Sequence, residues 1–518
     1  MTRRDLFLAL SSAFTIGTNA QLTLLDPTFG DNGVVLLGLS GFGGDHGEAV
    51  TLQPDGRILV AGKRGGTEEE MAVLRFLETG SLDNSFSGNG VATVNIGVNA
   101  EGRAIAMQTD GSIVVAGSAE FAGGAFDDVA FARFTSAGDI DPSFSGDGVF
   151  TYMAPGASDA VVALALQPDG RILAGGNFDG IVSDMMAMRL TSDGALDPDF
   201  ATGGIFTTGL HTGEVVQDML LRTDGSFVLA GAWRLTLPDA DMAMLQLTGS
   251  GTLDPGFGTD GLFRPSEEFS TSSAVSTADA GAGRILIAGK RYLPGAGGSE
   301  EIFTGRVSQD GTWDATYGTD GRYFLPLGSG YHGAVRDMVL LPNGKALVTV
   351  DALDVDNTSS IIVMRVLPEG GLDQTFGTSG RVQIPCPGTG CNVASLALDA
   401  QERVIAVGSY LGDNGPEVMV MRWLAEASPL GRTEADVREQ LRVNPVPATD
   451  ALQLDVPAEW LTGAWLELTD ASGRLVAVFN NPAAGRGIAL PSSLAGGRYS
   501  LRLVSASRVL SAPVVLLR

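Results

Sequence analysis

Short apolar runs, each bounded by turn residues, recur along most of the chain. In the first full unit Ala49-Val50-Thr51-Leu52 leads through Pro54-Asp55-Gly56 into Arg57-Ile58-Leu59-Val60-Ala61-Gly62. Met71-Ala72-Val73-Leu74-Arg75-Phe76 follows, then a Thr79-Gly80 turn and Leu82-Asp83 with Phe86 behind it. Runs this short, rich in Val, Ile and Leu and set between Gly, Pro and Asp, predict strands rather than helices. Asp-Gly between two such runs predicts a tight hairpin. It or Asn-Gly stands at that turn at Gly56, Gly111, Gly170, Gly225 and Gly344, whereas the units around Gly283 and Glu402 depart from it.

The pattern is periodic on a longer scale. Leu25-Asp26 recurs as Leu82-Asp83, Ile140-Asp141, Leu196-Asp197, Leu253-Asp254, Trp313-Asp314 and Leu372-Asp373, at steps of 56–60 residues. Three residues after each Asp stands an aromatic ring: Phe29, Phe86, Phe144, Phe200, Phe257, Tyr317 and Phe376. Each unit supplies four strands, here A (innermost), B, C and D (outermost). Seven such units with little helix predict an all-β, seven-bladed β-propeller over residues 21–424. The array begins with the turn element and a D strand alone, and ends on a C strand, Val418 to Trp423, with no D strand after it. The N-terminal strand is therefore expected to complete the last blade and remove the exposed edges of an open stack.

The run Gln-Pro-Asp-Gly-Arg-Ile-Leu-Val-Ala-Gly (53–62), then Ala-Val-Leu-Arg-Phe (72–76) and Gly-Ser-Leu-Asp-x-x-Phe-x-x-x-Gly (80–90), resembles the delta-60 repeat, a bacterial propeller-forming unit. The resemblance covers roughly residues 22–424. It implies export or surface display, and no defined activity.

Comparing the units with one another separates scaffold from variation. The A–B turn and C–D connection are nearly uniform and lie on one face, where the Asp side chain suits turn capping and the ring suits packing between blades. Arg75, Arg133, Arg189, Arg306, Arg365 and Arg422, at the ends of C strands, read as a repeated ion-pair or packing device. The D–A and B–C loops vary and are where binding is expected. They supply the candidate ligand-binding residues His46, Phe126, Trp233, His211, Tyr292 and His332; solvated loop histidines are the plainer reading of the three His. An acidic position recurs before strand C, at Glu70, Asp128, Asp184, Asp241, Glu301 and Glu417. Turned to the axis it would form a carboxylate ring for a cation; turned elsewhere it fixes the entry to strand C. Calcium would suit such a ring, but Asp31-Asn32-Gly33 and Asp147-Gly148 lack the regular oxygen ligands of a calcium loop. No cofactor is expected, and no catalytic motif stands out.

Composition narrows the setting. Over 518 residues the formal charge is −27, which argues against a nucleic-acid surface. The 71 Gly and 23 Pro are spread along the chain, as many tight turns require. Thr2-Arg3-Arg4, the apolar stretch Leu6 to Ile16 and Thr18-Asn19-Ala20 have the three-part layout of a secretory signal peptide, residues 1–20. The apolar stretch is too short to span a bilayer, and no later segment predicts a transmembrane helix. The two cysteines, Cys386 and Cys391, then read as one local disulfide.

After a polar linker, 425–442, the β pattern resumes with a different layout. Asn444-Pro445-Val446-Pro447, Asp470-Ala471-Ser472-Gly473-Arg474-Leu475-Val476 and Leu494-Ala495-Gly496-Gly497-Arg498-Tyr499-Ser500-Leu501 appear in order. Residues 443–518 are similar to the type A sorting domain of type IX secretion. That similarity implies a small immunoglobulin-like sandwich that engages the secretion machinery and delivers the propeller outside the cell or onto its surface. An accessory β-sandwich is the competing reading. The function expected is binding of an extracellular protein or glycan on the D–A and B–C face; the alternatives are a polysaccharide hydrolase or lyase with an axial site, and a structural surface protein.

Overall fold

A computed structural model describes residues 24–425 apart from 41–42, 122–125, 154–157, 180–182, 210–212, 237–238, 266–270, 294–298, 326, 328–331, 355, 387–389 and 413–414. Beyond these it describes 442–444, 451–455, 465–470, 475–480, 487–491, 494–495, 497–504 and 509–516. The proposed signal peptide, His211 and most of the linker lie outside the described residues. Among the described residues there is no helix.

Residues up to Ser428 form one compact unit and those from Pro429 a second. The first is a seven-bladed β-propeller. Its first blade runs His46–Leu52, Ile58–Arg64, Glu70–Phe76 and Val91–Val94, paired in that order. The later A strands are Asn99–Met107, Ser158–Leu166, Glu214–Leu221, Thr271–Asp279, His332–Leu340 and Cys391–Leu398. Blades four and five share one continuous sheet through a single parallel bridge, Ala240 to Thr271. Val34–Leu37 pairs antiparallel with Val418–Met421, in the sheet that holds Arg403–Gly412 and Cys391–Leu398.

The apolar runs of strands B and C are continuous because both faces of each blade are covered, unlike a sheet with one wet face. Ile58 and Val60 face blade seven, against Ile405 and Val407. Leu59 and Ala61 face blade two, against Ile113 and Val115. The core is thus a series of layers between neighbouring blades.

A repeated polar node holds those layers at one end. Asp83 Oδ1 accepts the Ser85 N–H at 3.0 Å, while its Oδ2 accepts from Arg75 Nε at 2.9 Å. Arg75 Nη1 reaches the Ser136 carbonyl of the next blade at 2.6 Å, and its guanidinium lies 4.6 Å above the Phe86 ring. Equivalent Arg–Asp bonds join Arg133 to Asp141, Arg189 to Asp197, Arg306 to Asp314, Arg365 to Asp373 and Arg422 to Asp26, at 2.7–2.9 Å. Blade four departs: Gln246 takes the arginine's place and donates to Asp254 at 2.7 Å. There Arg222, from the end of strand A, bonds the Gln246 side chain and the Gly283 carbonyl of the next blade.

In the second unit Arg442–Asn444, Ala451–Asp455 and Gly487–Ala489 form one sheet. Trp465–Asp470, Leu475–Asn480, Gly497–Val504 and Val509–Leu516 form another. Leu452 and Ile488 of the first share a core with Leu466, Leu468, Leu501 and Leu503 of the second.

Candidate functional site

The inner edge of a propeller blade turns backbone, not side chains, toward the axis, because alternate residues of a strand point to opposite faces. A bulge breaks this rule by adding one residue that the partner strand does not match. Every A strand has such a break in its pairing with strand B. It falls at Gly47/Ala49, Gly102/Ala104, Val161/Ala163, Val216/Asp218, Ala274/Ser276, Val335/Asp337 and Val393/Ser395. The extra residues are Glu48, Arg103, Val162, Gln217, Val275, Arg336 and Ala394, and all seven line one axial channel of about 220 Å³. No two adjacent blades contribute the same residue.

The recurrent glycine late in strand B makes the bulges feasible. A Cβ on Gly62, Gly117, Gly176, Gly231, Gly289 or Gly408 would stand 1.9–2.4 Å from the carbonyl oxygen of the opposing A strand. Blade six has Val350 at this position instead, with Gly333 opposite its side chain in strand A.

Charges cluster on the blade one, two and six side of the channel. Arg103 donates from Nε to Glu101 at 3.0 Å, and Arg336 from Nε to Asp351 at 2.5 Å. Lys63 pairs with Glu69 at 2.9 Å. Glu48 lies 3.7 Å from His46, whose ring also meets Ser409 Oγ at 3.2 Å. Burial, and then the neighbouring Glu101, push the Glu48 carboxyl up to about 7. Burial also lowers His46 and raises Asp351. Farther along, Asp218 accepts the N–H and hydroxyl of Thr277 in the next blade, both at 2.6 Å. Asp337 accepts from Ser276 at 2.8 Å and from the Leu396 N–H at 2.7 Å, bridging blades five, six and seven. Burial raises both groups, Asp337 to about 7.

Among the described residues, the candidates read from the loops do not meet. His46 and His332 open A strands rather than lying in D–A loops, because those strands begin earlier than the apolar pattern suggests. His46 belongs to the axial cluster; His332 is exposed in blade six. Trp233 is corrected most clearly: strand B of blade four runs on to Thr236, and the indole is buried in the core between blades three and four. Phe126 is exposed beside strand C of blade two. Tyr292 lies in strand B of blade five, and its side chain is outside the described residues.

The six acidic positions stand near the start of strand C, two strands out from the axis, and do not converge on it. Glu70 pairs with Arg64, Asp241 with Arg264 and Glu301 with Arg291; Asp184 accepts from Thr208, and Glu417 from the Tyr410 hydroxyl. Asp128 also sits on strand C. Among the described residues no three His, Cys, Asp or Glu side chains are grouped to hold a metal. Cys386 and Cys391 are disulfide-bonded, with Cα atoms 5.4 Å apart. The bulged ring escaped the sequence reading, although polar Glu48, Arg103, Gln217 and Arg336 interrupting A-strand runs, with glycine late in strand B, were its trace.

Residues 53–86, 108–144 and 167–200 match the family described as domain of unknown function (DUF5122) beta-propeller. The chain is a β-propeller repeat protein. Solved structures similar to it include a protein of unknown function from Dyadobacter fermentans, 11% identical, covering 77% of this chain and 100% of that one, with a TM-score of 0.40. An α-L-arabinofuranosidase from Fusarium graminearum is 10% identical over 62% of this chain and 92% of its own, with a TM-score of 0.40. An endo-arabinase from Bacteroides thetaiotaomicron is 11% identical over 51% and 94%, with a TM-score of 0.30. No curated protein matches the sequence.

Proposed function

We propose that the chain is an exported binding protein, taking an extracellular protein or glycan on the face that carries its D–A and B–C loops. One observation carries this reading. One end of the ring is given over to near-identical Asp–Arg–aromatic nodes, whereas the inner strands present seven bulged side chains of differing chemistry to the axis. Uniformity serves folding; variation around a concave centre serves recognition.

On this reading residues 1–20 direct export, and residues 443–518 form an immunoglobulin-like sorting domain handed to type IX secretion. The N-terminal strand closes the ring. The pairing of Val34–Leu37 with strand C of blade seven and the Arg422–Asp26 bond support closure. Hydrolysis or lysis at the axis gains nothing from Asp218 and Asp337, since both are taken up in bonds between blades.

Two experiments test the proposal. Exchanging the D–A and B–C loops of blades three to six is expected to abolish capture of host-surface material without lowering stability; capture that survives the exchange refutes the face. Mass spectrometry of the mature protein should find it starting near Gln21, lacking the last 75 or so residues and located outside the cell. An intact C-terminus retained in the periplasm would sink the delivery route.

A further inference from the structure

Two of the seven bulged residues are arginines, and they enter the channel from blades two and six. Each spends its Nε–H on one carboxylate, Glu101 or Asp351, which fixes the guanidinium plane. Neither has a second ion-pair partner among the described residues, so their terminal N–H groups remain for a ligand. Both guanidiniums, together with Lys63, act electrostatically on Glu48, yet none of the three forms an ion pair with it. Arg103 and Arg336 line the same channel as Glu48, whereas Lys63 is held by Glu69. Gln217 adds a neutral amide, and Val162, Val275 and Ala394 supply apolar wall.

We propose that the axial channel binds a small ligand through a carboxylate held between Arg103 and Arg336. A planar guanidinium fork matches the two oxygens of a carboxylate, and bonds of this kind are the strong, charge-assisted ones. The cavity, at about 220 Å³, lies below the range of drug-sized sites, which limits the ligand to roughly one sugar acid or a short organic acid. Glu48 faces His46, Lys63, Glu101, Arg103 and Arg336. In mildly acidic solution its carboxyl is largely protonated and offers an O–H donor instead of repelling the anion. The inference deepens the binding reading by naming what the centre of that face takes.

The test is calorimetric titration of the full-length protein with D-glucuronate, D-glucose and inorganic phosphate, at low salt and about pH 6. Glucuronate is expected to bind and glucose, which lacks the carboxylate, to give no heat. Arg103→Gln and Arg336→Gln should each weaken glucuronate binding by about tenfold. Because Arg103→Gln leaves Glu101 unpaired, the Arg103→Gln/Glu101→Gln double variant checks that the loss is local and not a failure to fold; it should retain the far-ultraviolet spectrum and the weakened binding. Absence of glucuronate uptake by the parent protein, or affinity unchanged in both single variants, overturns the site. Phosphate binding more tightly than glucuronate overturns the carboxylate assignment. Capture of host-surface material that persists in the double Arg variant, Arg103→Gln/Arg336→Gln, while glucuronate binding fails in the parent would leave the loop-face reading standing without this site.

Discussion

The node of blade four contains its own experiment, because it solves with Arg222 and Gln246 what the other blades solve with one arginine. Arg222 and Gln53 occupy the same place in their units: each donates its backbone N–H across the A–B turn, to Ser226 and Arg57 respectively, at 2.8 Å. Replacing Arg75 by Gln in blade one should therefore reproduce half of the blade-four arrangement. Arg75 is 7% exposed, and its loss removes bonds to Asp83, Ser85 and Ser136 together with the contact over Phe86. Breaking a buried ion pair costs about 3–5 kcal/mol when the remaining charge is left alone. Here Asp83 keeps Arg57 Nε at 2.9 Å and the Ser85 bonds, and the new amide can donate to it as Gln246 does to Asp254. The expected loss is about 2 kcal/mol, the scale of one hydrogen bond to a charged group. Adding Gln53→Arg should then recover about 1 kcal/mol, by bonding the new amide and crossing to blade two. In the parent protein the same Gln53→Arg change should destabilise, because it sets a second guanidinium beside Arg75. Urea unfolding of all four proteins, followed by tryptophan fluorescence of the propeller, measures the cycle. A loss below about 0.5 kcal/mol for Arg75→Gln, or no gain from Gln53→Arg in its background, would refute the account of the node.

Three further outcomes follow from the same geometry. Gly117→Ala should cost about 3 kcal/mol or more, at the upper end for overpacking, since its Cβ would stand 2.0 Å from a backbone oxygen; chemical denaturation checks this. Asp83 is held down at about 2 by its Ser85 hydrogen bonds and by Arg75 and Arg57, and Asp26, Asp141, Asp197, Asp314 and Asp373 are lowered in the same nodes. Groups with depressed folded values stabilise above the unfolded carboxylate range and lose that contribution as pH falls through it toward about 2. Glu48 and Asp337, raised to about 7, act with the opposite sign, because the folded state takes up their protons first. Stability should thus rise from neutral pH to about 5 and drop steeply below about 4, an acid titration of the unfolding midpoint being the check. Deleting residues 21–37 removes the strand paired with Val418–Met421 and the Asp26 partner of Arg422, so blade seven should lose its cooperative protection from hydrogen exchange before the other blades do.

Much of this molecule was legible in one dimension. The repeat spacing, the apolar runs and the Leu-Asp-x-x-Phe element state the number of blades and the order of their strands, because those features are local and recur in register with the chain. The turns follow for the same reason: Gly56, Gly111, Gly170, Gly225 and Gly344 all adopt positive φ between 81° and 88°, a conformation glycine takes without a Cβ penalty. In the seventh unit Glu402 takes a φ of 59° at the departing turn, held by the same backbone bonds.

The centre of the ring was not legible, and for a physical reason. Which way a side chain points in a strand depends on its register against a partner, and one unmatched residue reverses it. Glu48, Arg103, Gln217 and Arg336 are polar interruptions until strand B is laid beside them; only then do they become the lining of a channel. Trp233 reads as a loop aromatic until strand B of blade four extends and closes over it between two blades. The acidic positions before strand C recur like a ring in the sequence, but distance from the axis is set by strand order within each blade, which places them two strands away from it. Local chemistry determined the blades and their turns; the meeting of seven chain segments around one axis determined what the protein presents there.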